Sequence, residues 1–249
     1  MLQSDGTQVQ EPAIDVHLPA RTALRGLEAY QGSLAQRVYA ALREAILTMS
    51  LRPGDILRKP EICEQLGVSR SPVSEAVARL AVEQLVRVVP QAGTYVARFS
   101  LEEIREGAFL REALELAAVE RVAQDITEDQ LIQLRRNLRL QQGLIEDQDF
   151  AGFYQTDAAM HELILSFTGF RRVAALADTS WVQVNRARQL ILPAPGRVQA
   201  TLVEHQAILA AIEAHDAVAA RNATRLHLGK LIGFLEPLAL VRPDLFEPD

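Results

Sequence analysis

Residues 60–96 read PEICEQLGVSRSPVSEAVARLAVEQLVRVVPQAGTYV, and their pattern decides the fold. Gly67 follows an apolar helical face made by Ile62 and Leu66, the place of a left-handed residue that ends a helix. Ser69 has the chemistry of an N-cap for a second helix. Pro72 suits that helix's first turn, where a missing N–H would be unpaired anyway. Val73, Val77, Leu80 and Ala81 recur at helical spacing and form one buried face. The other face offers Arg70, Ser71 and Ser74 near the N-terminus, the end from which a helix reaches base edges in a major groove. Val86-Arg87-Val88-Val89, a turn over 90–93 and Thr94-Tyr95-Val96 make a hairpin. Two short helices and a hairpin in this order form a winged helix-turn-helix, a reader of double-stranded DNA.

Upstream, Ser33-x-x-Gln36 has the form of a capping box, and Leu34, Val38, Leu42, Ala45, Ile46 and Met49 follow as an apolar stripe. Leu51-Arg52-Pro53-Gly54 ends that helix. Residues 1–29, polar and carrying Pro12 and Pro19, read as a flexible arm. Downstream the character changes to long helices, predicted over 100–123, 127–146, 149–167, 171–190, 198–215 and 216–235, with a break at Pro193-Ala194-Pro195-Gly196. Such a run closes as an antiparallel helical bundle. The expected fold is thus mainly α, with an arm over 1–29, a winged helix over 30–98 and an all-α bundle over 99–249.

The chain of 249 residues is long enough for two ordinary cores. No apolar run is long enough to span a bilayer, residues 1–29 lack the form of a secretion signal, and a single cysteine, Cys63, excludes an internal disulfide framework. A cytoplasmic protein with no membrane partner is expected, with Cys63 as a small core residue. The net charge of −6 hides an asymmetry. Residues 30–98 hold nine Lys/Arg against six Asp/Glu, whereas 99–249 hold 15 against 22. A basic module on an acidic body suits a polyanion reader attached to something else.

The bundle carries a second constellation. Asp157 and His161, at i and i+4, share one helix face, while His205 and His227 lie on the last two predicted helices. Neighbouring helices of a bundle can bring three histidines and a carboxylate to one interior point, a donor set suited to Zn, Ni, Mn or Fe. On spacing alone, hydrogen-bonded core histidines remain the alternative. His17 and His215 read as solvated. Arg111, one turn before Glu115 among apolar residues, either pairs internally with that acid or meets a carboxylate ligand. Arg186 and Arg188 either line a cavity or lie on the surface.

Tyr39-x-x-Leu42-Arg43-x-Ala45-Ile46-Leu47, Leu51-x-Pro53-Gly54 and Leu66-Gly67-Val68-Ser69-Arg70-Ser71-Pro72-Val73 resemble the DNA-binding domain of GntR-family transcription regulators. The second half resembles the FCD ligand-binding domain of the FadR subfamily. The resemblance rests on Arg111-x-x-Leu114-Glu115, Asp157-x-x-x-His161, Glu204-His205-x-x-Ile208-x-x-Ala211-Ile212, His227-Leu228 and the closing Pro243-Asp244-x-Phe246-Glu247. Six helices match its VanR-like division. The resemblance implies a divalent metal, zinc first, on Asp157, His161, His205 and His227, with a small carboxylate effector docked against it; Arg111, Arg186 and Arg188 are the effector contacts that their own chemistry suggests. It implies DNA contacts from Arg43, Arg58, Lys59, Ser69, Arg70, Ser71, Ser74 and Gly93. Ser74, Pro60 and Ala92 stand where arginine is common in such readers, so the operator cannot be copied from relatives.

The function these features imply is a homodimeric, effector-responsive repressor on a palindromic operator, not an enzyme. Two rivals remain. One is a metal enzyme acting on a small acid, with Glu162 or Glu204 as its only nearby bases. The other is a DNA binder whose metal is purely structural.

Overall fold

The computed structural model describes residues 23–173, 181–192, 194 and 196–248. The expectations for residues 1–22, His17, Pro193, Pro195 and the middle of the helix over 171–190 lie outside these. The DNA-binding unit consists of α1 (Leu34–Leu47), α2 (Lys59–Leu66), α3 (Arg70–Val82), β1 (Val86–Val89) and β2 (Gly93–Val96). The capping box of Ser33 and Gln36 forms as expected. Gly67 closes α2 at φ 63°, ψ 36°, a left-handed conformation that costs a side-chain-bearing residue more. β1 and β2 pair antiparallel with Val86 opposite Val96 and Val89 opposite Gly93. Leu57 N donates to Thr94 O (2.8 Å) and Val96 N to Asp55 O (2.8 Å), so the loop before α2 lies along the hairpin.

Val38, Leu42, Ile46, Val73, Val77, Leu80, Leu85 and Val96 form one core under these elements. Each such side chain, fully buried, contributes roughly 1.5–3 kcal/mol. Two findings depart from the expectation. Leu24 and Leu27 pack against this core, and Tyr30 Oη donates to Glu44 Oε2 (2.7 Å). Residues 24–30 therefore lie on α1 instead of belonging to a free arm; two isolated leucines carry no periodicity that would reveal this. Met49, expected in the same stripe, is fully buried in the core of the bundle instead. Its φ of 62° turns the chain out of the helix and carries the side chain there.

The bundle comprises α4 (Leu101–Asp125), α5 (Glu128–Glu146), α6 (Phe150–Phe167), α7 (Val182–Ile191), α8 (Arg197–Glu213), α9 (Ala217–Leu228) and α10 (Lys230–Val241). Ser100, Thr127, Asp149 and Asp216 cap α4, α5, α6 and α9 with their side chains. The helix expected over 216–235 is two helices, broken at Gly229, so the described residues already exceed the six predicted. The turn is tight there: a Cβ on Gly229 would lie 3.3 Å from the Arg225 carbonyl oxygen. Val119, Leu134, Met160, Leu165, Val184, Leu190, Ile208 and Leu235 lie in the bundle core. No helix among the described residues is long and apolar enough to cross a membrane.

Candidate metal centre and nucleic-acid interface

Asp157 and His161 on α6, His205 on α8 and His227 on α9 are all buried, and one ligand atom from each lies within 4.8 Å of every other. His227 Nε2 lies 3.3 Å from His161 Nε2 and 3.4 Å from His205 Nε2. Asp157 Oδ1 is 3.4 Å from His205 Nε2 and has no hydrogen-bond donor among the described residues.

The other ring nitrogens determine what these contacts are. His161 Nδ1 meets Glu115 Oε2 at 2.6 Å, and His227 Nδ1 meets Glu204 Oε2 at 2.7 Å. A carboxylate only accepts, so both rings carry their proton on Nδ1. His205 Nδ1 meets Gln141 Oε1 at 2.9 Å. That amide is oriented by a chain ending on a backbone carbonyl. Gln141 Nε2 donates to Asn137 Oδ1 (2.7 Å), and Asn137 Nδ2 donates to Thr156 O (2.9 Å). Gln141 therefore presents oxygen to His205, whose proton also sits on Nδ1. With a proton on each Nδ1 directed outward, the three Nε2 atoms face one point beside a carboxylate oxygen. Lone pairs that converge in a buried site are repulsive, and a divalent cation is the chemical remedy.

Protonation favours the same state. Burial, then His227, His161, Arg188 and Arg111, hold His205 well below the usual imidazole range. Burial lowers His227 to about 4, with Glu204 opposing the shift and His161 and Arg111 adding to it. Burial pushes Glu204 up, but hydrogen bonds from Arg197 and His227 outweigh it and leave the carboxyl at about 2. Glu115 follows the same pattern: burial raises it, and Arg111 and His161 bring it below the carboxylate range.

The three arginines expected at an effector site part company. Arg111 donates through Nε to Glu115 Oε1 (2.6 Å), so the internal pair forms, and its guanidinium lies 5.5 Å from the Trp181 ring. Arg188 is buried, pairs with Asp157 and lies 5.5 Å from the Tyr154 ring. Arg186 does not join them. It is fully buried over the Phe99 ring, 4.5 Å from its centroid, and donates to Ala97 O (2.6 Å), where the DNA-binding unit meets the bundle. The two glutamates considered as bases are placed differently again. Glu162 is exposed. Glu204 accepts from both terminal nitrogens of Arg197 (2.7 and 2.8 Å) and orients His227. Glu115 enters the sequence reading only as a partner for Arg111, and its contact with His161 crosses 46 residues; Gln141, Asn137 and Arg197 have no role in that reading, and nothing local to them signals one.

On the DNA-binding unit, Arg70, Ser71 and Ser74 are exposed along the start of α3, and Gly93 is exposed in the wing at φ 135°. Lys59 Nζ reaches Ser74 Oγ (3.3 Å), which puts its charge on that face. Arg58 is exposed and pairs with Glu61 (3.1 Å). Ser69 occupies the N-cap position of α3, but its side chain makes no capping hydrogen bond. Its extended backbone alone starts the helix. Arg43 is engaged elsewhere: its Nε donates to Glu83 Oε2 (2.9 Å) and ties α1 to the end of α3. Arg87, exposed on β1 and absent from the predicted contacts, adds a cation to the wing.

A winged helix-turn-helix joined to a helical bundle with a buried polar centre defines a DNA-binding regulator. Residues 34–96 match the bacterial regulatory proteins of the gntR family, and residues 106–230 match the FCD domain. An HTH-type transcriptional regulator in an unstable DNA locus of Streptomyces ambofaciens is 32% identical over 85% of this chain and 89% of its own. The HTH-type transcriptional repressor RspR of Escherichia coli K12 is 29% identical over 86% of this chain and 94% of its own. Among solved structures, a GntR transcriptional regulator from Rhodococcus sp. RHA1 superposes with a TM-score of 0.72 at 25% identity, over 83% of this chain and 99% of that one. The chain belongs to the GntR family of transcriptional regulators and carries an FCD domain.

Proposed function

We propose that this protein is a homodimeric repressor whose bundle holds a divalent metal, zinc first, and a small carboxylate that controls operator binding. The observation that carries the reading is the convergence of three Nε2 lone pairs and Asp157 Oδ1 on one buried point. Asp157, His161, His205 and His227 would hold the ion, which would supply a Lewis-acidic anchor for a carboxylate. Arg188 currently pairs with Asp157. A metal sharing that carboxylate leaves Arg188, beside Arg111, to meet the effector.

The module limits we adopt are 30–98 for the reader and 99–249 for the sensor. Repression is supported by the name of RspR. Dimerisation is supported by Phe109 and Leu226, which are 72% and 70% exposed on the mutually packed helices α4 and α9. A second copy packed on this pair of helices would bury both side chains. Two copies would set two α3 helices on a palindrome, and effector and DNA would then alter each other's affinity equally. A thermal-shift screen of small carboxylates on zinc-loaded protein, followed by gel shifts with a selected palindrome, tests the reading. A carboxylate that both stabilises the protein and changes DNA affinity supports it. A screen in which no stabilising acid alters DNA binding favours a purely structural metal.

A further inference from the structure

Helix α7 has two faces with different partners. Val182 is buried in the core of the DNA-binding unit, and Gln183 Nε2 donates to Gln84 O (3.2 Å) in that unit. Arg186, one turn further, donates to Ala97 O (2.6 Å) and covers the Phe99 ring. The other face meets α6. The Asn185 carbonyl accepts from Tyr154 Oη, and Arg188 pairs with Asp157. Residues 182, 183 and 186 therefore hold the reader, and 185 and 188 hold the polar centre, on one rigid helix.

The linker is gripped from a second side. Phe99 N donates to Leu245 O (2.9 Å), Glu247 N donates to Phe99 O (2.8 Å), and Arg98 Nε donates to Asp244 O (3.1 Å). Phe246 is buried with its ring centroid 5.7 Å from that of Phe99. The Pro243-Asp244-x-Phe246-Glu247 motif is thus a strap along the first residues after the reader.

Arg186 is an odd residue for this place. It is fully buried, its Nε and Nη1 have no partner among the described residues, and burial lowers its pKa to about 9. A methionine would fill similar space without desolvating a charge, so packing alone does not account for the arginine.

We propose that Arg186 is the positioning residue that transmits the state of the polar centre to the reader, by holding the Ala97–Phe99 linker against the 243–247 strap. This rests on the metal site proposed above. A cation that draws Asp157 away from Arg188 acts on the helix that carries Arg186.

Hydrogen exchange on the full chain, with and without one equivalent of Zn²⁺, tests it in wild type and in Arg186→Met. In wild type, Zn²⁺ should slow exchange in α6 and α8 and also change it at the Phe99 and Glu247 amides and in α3. In Arg186→Met, the α6 and α8 response should persist while the linker and α3 responses shrink by about tenfold. Equal linker and α3 responses in both proteins would overturn the proposal. If Zn²⁺ changes nothing in wild-type α6 and α8, the metal reading itself has failed. The metal-free comparison then decides the joint: Arg186→Met should speed exchange at Phe99 and Glu247 about tenfold, and unchanged rates would overturn it. Phe246→Ala attacks the same joint from the strap and should reproduce the Arg186→Met pattern. A wild-type pattern in Phe246→Ala would remove the strap from the account.

Discussion

His161 and His227 face each other with Nε2 atoms 3.3 Å apart, while a carboxylate holds each opposite nitrogen, Glu115 for one and Glu204 for the other. When both rings are neutral, their protons point outward and the two Nε2 atoms cannot hydrogen-bond to each other. The proposed metal site would place a cation between these two nitrogens, and whether it binds there is open to measurement.

The first expected outcome concerns the residues behind the ligands. Gln141→Leu removes the acceptor that orients His205 and leaves Asn137 Oδ1 without its donor. Zinc affinity, measured by competition with a chromophoric chelator, should fall about 10- to 100-fold. Gln141→Glu keeps an acceptor for His205 Nδ1 and should retain more affinity than Leu. Equal affinities for wild type and both variants would remove Gln141 from the site.

A second concerns pH. His227 has its pKa lowered to about 4, and His205 lies well below its usual range. The unfolded chain therefore binds protons that the folded one refuses. The stability associated with these groups is present above the unfolded value of about 6.5 and is lost as pH falls toward 4. For His227 alone the loss is on the order of 3 kcal/mol. Metal-free protein melted between pH 7 and pH 4 should show a steep decline beginning below pH 6.5. Replacing both histidines with Gln should flatten it; an equally steep decline in that variant would contradict the assignment.

A third separates reading from holding on the DNA side. Arg70 is exposed at the start of α3, whereas Arg43 is bonded to Glu83. Arg70→Ala should weaken binding to a selected palindrome by about 1–3 kcal/mol with an unchanged melting temperature. Arg43→Ala breaks a pair whose side chains are 31% and 26% exposed, so it should cost ~1 kcal/mol of stability or less. Gel shifts and melting curves on the two variants check this, and unchanged binding in Arg70→Ala would sink the recognition-helix assignment.

Legibility in the sequence followed distance along the chain. The capping box at Ser33, the left-handed Gly67 and the hairpin rest on residues close together in the chain, and they are readable there. The four converging side chains were readable as a set because the helical period places Asp157 and His161 on one face and the family pattern supplies the rest. The partners behind them were not. His205 and Gln141 are 64 residues apart, and Arg186 meets Ala97 across 89, so no local pattern marks either contact. Arg186, read as an effector contact, lies instead against Ala97 and Phe99 for that reason. An arginine two residues from Arg188 points from another side of the same helix, and tertiary packing decides what it meets. The break at Gly229 carries no local signal, because glycine inside an apolar helical pattern is often tolerated.

The central claim is that the centre formed by Asp157, His161, His205 and His227 holds one divalent ion. Elemental analysis after equilibration with a small excess of Zn²⁺ and removal of unbound ion tests it most directly, using wild type and His205→Ala. The account predicts about one zinc per chain in wild type, little in the variant, and a melting temperature that rises with zinc only in wild type, corresponding to about 2.7 kcal/mol of added stability at free zinc 100 times Kd. Equal zinc content in the two proteins, or none in wild type, would contradict it.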